Sequence, residues 1–154
     1  ISRLLYPKHK LDVKLSIEED DEVTSQTLNR ISIPYYVQVI CVPSCVPRTK
    51  PKALNFGMAY VVGQYVTVYD AEDVPEPEQL LKVIQSFKNL SLDYASLQAK
   101  LRFYNINESW LTKMMSLEYS VLFNFLVYGL SVLNFPVPLG GTSNHFRTSM
   151  LRQV

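Results

Sequence analysis

The residues best placed to do chemistry stand at the end of an apolar run. Val66 to Tyr69 is β-branched and aromatic in character, and Asp70, Glu72 and Asp73 follow it directly, ahead of Pro75 and Pro77. Carboxylates at the carboxyl end of a buried strand are costly unless a positive charge offsets them. A divalent cation with oxygen ligands is the usual offset, and it often holds a phosphorylated substrate as well. Strand carboxyl ends are also where open α/β sheets bind ligands. Asp70 and Glu72 are two positions apart, so an extended segment points both to one side. The plainer alternative is an acidic loop that caps the next helix. Glu76 and Glu78 already serve that helix start, which leaves Asp70 unexplained.

Three further groups are weaker candidates. Lys50 and Lys52 stand at a predicted helix start, where backbone N–H groups and the macrodipole favour an anion. On charge alone they read as ordinary exposed lysines. The block Pro138-Leu-Gly-Gly-Thr-Ser-Asn-His-Phe-Arg147 offers Gly140 and Gly141, which permit close backbone approach or positive φ. Thr142, Ser143 and Asn144 could line a sugar site, or the pair of glycines could be a plain turn entering a strand. His145 has no Ser or Cys beside it that would make it a catalytic base. Glu18, with Glu19, Asp20 and Asp21, ends an earlier strand, and helix capping accounts for that run adequately.

The elements that must position these residues alternate. Leu11 to Ile17 reads as a strand, and helical spacing follows through Val23, Thr27 and Ile31. Tyr36 to Val42 reads as a buried strand. Thr49 can cap the next helix, Pro51 suits its first turn and Gly63 can end it. Tyr65 to Tyr69 is the strand before the acidic cluster, and Glu76 to Phe87 is a clear amphipathic helix. Asp93 to Leu101 holds a short strand. Strands alternating with helices predict an α/β domain with a mainly parallel sheet. Glu108 to Leu133 differs, being apolar nearly all round from Val121 onward. A span needs about 20 mostly apolar residues, and Glu118, Asn124 and Asn134 interrupt this run, so a buried or interfacial helix is expected.

Composition narrows the class. The chain has 154 residues with 47% hydrophobic and 19% charged content, which fits a compact domain and excludes disorder. A net charge of +1 gives no sign of a nucleic-acid partner. Cys41 and Cys45, with His9 and His145 far apart, do not make the roughly four-ligand set of a zinc site. Both thiols are expected to be reduced. With no initiator Met and no signal-peptide pattern, the chain reads as a segment of a longer protein.

In order along the chain stand YPKHKLDVKLSIEEDDE, TKPKALNFGMAYVVGQYVTVYDAEDVPEPEQL, LQAKLRFYN, ESWLTKMMSLEY and PLGGTSNHFRT. Together these blocks resemble family 2 glycosyltransferases of the cellulose-synthase-like, processive-glucan group, over nearly the whole chain. The resemblance implies a GT-A-like fold, Rossmann-like with a mainly parallel sheet, that binds a nucleotide diphosphate sugar at its strand ends. Asp70 and Glu72 fall on the two positions of the metal-binding D-x-D. Because the second is Glu and Asp73 follows it, Asp70, Glu72 and Asp73 are all candidate ligands of a magnesium or manganese ion. Lys50 matches the lysine that approaches the donor diphosphate, and Glu18 the acidic position facing uracil. Gly140, Gly141 and Thr142 match the segment bordering the donor sugar and acceptor end.

The same resemblance implies an inverting transfer of a hexose, glucose in the group's best-known members, from a UDP-sugar to a glycan acceptor. It places the parent at the cytoplasmic face of a membrane, held by flanking helices. The first strand is expected to precede Ile1. The T-E-D segment carrying the general base and the Q-x-x-R-W motif are expected beyond Val154. Residues 1–154 therefore read as a partial catalytic domain carrying the donor half of the site. Two other classes compete: a non-catalytic relative that binds nucleotide or carbohydrate as an interaction subunit, and a phosphoacceptor signalling domain, which the PLGGTSNHFR block fits poorly.

Overall fold

The computed structural model describes residues 1–153, which form two compact units: Arg3–Gln64, and the residues from Tyr65 onward together with Ile1 and Ser2.

The first unit is built on a strand–helix–strand crossover. β1 (Val13–Glu18) and β2 (Val37–Val42) pair in parallel, in register from Val13 opposite Val37 to Glu18 opposite Val42. A parallel pair needs a crossover connection, and α1 (Glu22–Leu28) supplies it. Ile40 and Val42 on β2 are buried. α2 (Lys50–Met58) packs on both strands. Its Gly57 is buried against β1, where an added Cβ would stand 3.3 Å from the Ser16 hydroxyl. Of the acidic run, only Asp21 caps α1, accepting from the Thr24 N–H at 3.0 Å and the Thr24 hydroxyl at 2.6 Å.

The second unit begins with β3 (Tyr65–Val68), α3 (Gln79–Asn89) and β4 (Ser96–Gln98). A long helical segment follows. α4 (Trp110–Val121) passes through a π-helical turn at Leu122–Leu126 into α5 (Val127–Val132). β5 (Asn144–Arg147) and α6 (Thr148–Leu151) close the chain. The strand order is β3-β5-β4, with β5 antiparallel to both neighbours. Phe87 on α3 is buried against this sheet, its ring stacked on Tyr65 at 5.0 Å and covered by the Arg147 guanidinium at 4.7 Å.

Two expectations are corrected. The strands do not make one mainly parallel sheet, because among the described residues only β1 and β2 form a parallel ladder. β3 and β4 do run in the same direction, as their helical connection requires. β5 arrives from the far end of the long helix and inserts between them, so both of their ladders become antiparallel. Apolar periodicity carries no information on strand direction. Second, of the two alternatives for the long helix, buried or interfacial, the buried one falls: 6% of its most apolar window is enclosed. One stripe packs inward through Tyr119 and Phe123, while Trp110 is 73% and Phe125 72% exposed. By length and composition Trp110–Val132 could cross a membrane.

Candidate functional site

The order β3-β5-β4 brings three chain segments to one edge of the second sheet. Val68 pairs with Asn144, and Asn144 with Gln98. The carboxyl ends of β3 and β4 therefore meet the amino end of β5. Asp70 to Asp73 leave this edge from β3, Gln98 and Ala99 from β4, and Gly140 to Ser143 enter it ahead of β5.

Asp70 and Asp73 form a tight turn, closed by the Asp73 N–H donating to the Asp70 carbonyl at 3.1 Å. The Asp70 N–H donates to Asp73 Oδ2 at 2.7 Å and lies 3.2 Å from Thr142 Oγ1. The Thr142 hydroxyl donates to the same Asp73 oxygen. Residues far apart in sequence are thus joined at one point, and Asp73 Oδ2 takes part in holding the turn. Asp70 is half-buried and Glu72 is exposed.

Neither Gly140 nor Gly141 takes positive φ; the left-handed residue in this loop is Ser143, at φ 53°. Gly140 serves close approach instead, since a Cβ there would lie 3.3 Å from Gln98 Oε1. The expectation of a turn entering a strand describes this loop, and the loop also bonds to the acidic turn.

Behind the edge lies a buried imidazole. His145, on β5, is 1% exposed, and burial pushes its imidazole down to about 4. Its Nδ1 lies 2.8 Å from the Thr67 hydroxyl, and its Nε2 is enclosed without a hydrogen-bond partner. A neutral, enclosed ring is no general base. Tyr69 donates to Gln79 Oε1 at 2.5 Å. Burial first, and the Asp73 charge second, push its phenol well above the usual range, so it stays a donor.

In the first unit, Glu18 closes β1 and its Oε2 accepts from Lys52 Nζ at 3.0 Å; Lys52 also donates to the Cys45 carbonyl at 3.1 Å. The lysine brought to Glu18 is Lys52. Lys50 opens α2 and is exposed. Asp20 pairs with Arg48, and Glu19 accepts from the Ser44 N–H at 3.3 Å. The acidic run therefore ties down the loop after β2, a role that capping did not foresee.

Among the described residues no three Cys, His, Asp or Glu side chains converge as a complete metal cage. The donor set at the Asp70 turn still fits a hard cation. Its ligands would be carboxylate oxygens, and magnesium sites commonly use one or two carboxylates and draw the rest from phosphate and water. Sequence reasoning missed Gln98 and Tyr69. Gln98 had a signal, as a polar side chain closing the short predicted strand within LQAKLRFYN.

An acidic turn after β3, meeting a glycine loop at the edge of an α/β domain, is an arrangement suited to phosphate-bearing ligands. The description "Glycosyl transferase family 2" matches residues 20–151, and the chain belongs to that family, whose fold is GT-A-like α/β. It is similar to a protein of Bacillus subtilis (strain 168) named "Probable glycosyltransferase YdaM", with 25% identity over 154 residues, covering 98% of this chain and 36% of the relative. The chain thus spans little more than a third of that relative's length.

Proposed function

We propose that the chain belongs to a membrane-associated hexosyltransferase of the cellulose-synthase-like, processive-glucan group. A hexose, glucose by resemblance, passes from a UDP-sugar to a glycan acceptor with inversion. The observation that carries the reading is the meeting of the Asp70–Asp73 turn with Thr142 at one sheet edge, in a chain of a glycosyl transferase family.

The residues take separable roles. Asp70, with Glu72 or Asp73, would hold a magnesium or manganese ion. Such an ion, when bound, stabilises the charge of a departing diphosphate. Lys50 adds positive charge at the start of α2, where backbone N–H groups also favour phosphate. Glu18 is assigned to the uracil base, and its bond to Lys52 fixes the carboxylate's orientation. Gly140, Gly141 and Thr142 border the donor sugar. The acceptor hydroxyl must give its proton to a general base, a role the resemblance assigns to a T-E-D segment and to none of the described residues. The chain alone therefore binds nucleotide weakly and turns over little. The exposed apolar helix Trp110–Val132 is long and apolar enough to meet a membrane, and the cytoplasmic face is what the family resemblance implies.

Titration of UDP with and without manganese, on the wild-type chain and on Asp70→Ala, tests the reading once folding is verified by circular dichroism. Manganese should tighten UDP binding at least tenfold in the wild type and have no effect in the variant. Binding indifferent to both the metal and the substitution would remove the donor-site assignment. Transferase turnover by the chain alone would contradict the absence of a base.

A further inference from the structure

The loop ahead of β5 is held by a side chain that the donor-site reading does not use. Gln98 Oε1 accepts from the Gly140 N–H at 2.7 Å. Its Nε2 donates to the Thr142 carbonyl at 3.1 Å and to its neighbour Ala99's carbonyl at 2.9 Å. One amide thus grips both ends of Gly140–Thr142, using its acceptor and its donors in the only orientation that satisfies both. Asn144 Nδ2 adds a bond to the Gly140 carbonyl.

The grip matters because the loop is strained. Ser143 has φ 53°, a left-handed conformation that a residue with a Cβ keeps only when its surroundings hold it there. Its N–H donates to Val68 at 2.8 Å and its carbonyl accepts from Ala99 at 3.0 Å, which fixes it between β3 and β4. Thr142 is then left pointing its hydroxyl at Asp73, whose carboxylate accepts the Asp70 N–H. A continuous path of hydrogen bonds runs from Gln98 through the loop to Asp70.

We propose that Gln98 is a positioning residue, whose amide latches Gly140–Thr142 in the one shape that sets the Thr142 hydroxyl on Asp73 and so fixes the Asp70 turn. The proposal rests on the reading of this edge as the donor site. Gln98 touches no reacting atom; it acts through Thr142.

Amide hydrogen exchange of the full chain, read by mass spectrometry over residues 138–144 and 69–74, tests the latch without any ligand. UDP titration with manganese tests its consequence. In Gln98→Ala, which loses the bonds to Gly140 and Thr142, protection in both segments should fall about tenfold, and UDP affinity should fall by a similar factor. Gln98→Glu keeps the acceptor for Gly140 but loses the donor to Thr142 at neutral pH. Its protection, corrected for intrinsic exchange, should be low at pH 7 and recover below about pH 5, where the carboxyl regains a proton. A side chain that merely filled space would show no such recovery.

Unchanged protection in Gln98→Ala would overturn the latch, and loss confined to 138–144 would overturn the path to Asp70. Loosened segments with unchanged UDP affinity would overturn the positioning role. If Gln98→Ala does not fold, the Gln98→Glu protein compared with the wild type at the same two pH values decides the latch, since both carry the pH dependence of His145. A wild type that binds no UDP would sink the donor-site reading, while the exchange data would still decide the latch.

Discussion

Thr142 and Asp73 show how a single hydroxyl can join segments that the sequence keeps far apart. Thr142→Val removes the donor to Asp73 Oδ2 and the second acceptor for the Asp70 N–H while keeping shape. It should lower stability by about 1–2 kcal/mol in urea unfolding, and Thr142→Ser should recover most of it. His145 gives a pH signature. Burial lowers its imidazole from 6.5 to about 4, so the folded chain stays neutral where the unfolded chain binds a proton. The contribution is therefore full above pH 6.5 and is lost as pH falls toward 4. Wild-type stability should drop by about 2 kcal/mol between pH 7 and pH 5, and a His145→Leu variant should lack that drop. Equal slopes in the two proteins would place the pH dependence elsewhere.

Among the elements, the long helix begins where Ser109 and Thr112 exchange bonds. The Ser109 hydroxyl accepts from the Thr112 N–H at 3.1 Å, and the Thr112 hydroxyl from the Ser109 N–H at 3.0 Å. Both orphan donors are satisfied in an exposed setting, so Ser109→Ala should cost about 1 kcal/mol in thermal unfolding, with Ser109→Asp close to neutral. The alternation of strands and helices was legible, and so were β2, β3 and the helix after each, because apolar periodicity reports which face is inward. The insertion of β5 was not. Asn144–Arg147 is short and polar at three of its four positions, and nothing local says that it must lie between β3 and β4.

At the scale of the whole molecule, an apolar helix stands in the open. Trp110–Val132 has an apolar window that is 6% enclosed, and Trp110, the chain's single tryptophan, is 73% exposed at its start. If this helix meets a membrane surface, lipid vesicles should shift Trp110 fluorescence to shorter wavelength. Phe125→Ser with Leu126→Ser should weaken vesicle binding at least tenfold, since each apolar side chain moved out of water contributes about 1.5–3 kcal/mol. An unshifted spectrum at saturating lipid would remove the helix from the membrane reading.

Read alone, the residues determined that this α/β chain holds an acidic strand end, a glycine loop and a lysine-headed helix, because charge, β-branching and turn chemistry are local properties. They left open whether the loop and the cluster ever meet. Only the tertiary structure decided that. By inserting β5 between β3 and β4 it set Thr142 on Asp73 and Gln98 behind Gly140. It also put the loop's positive φ on Ser143, left Gly140 for close approach, and made Lys52 a partner of Glu18. Hydrogen bonds between distant segments depend on strand order and register, and neither is written in the periodicity of any one segment.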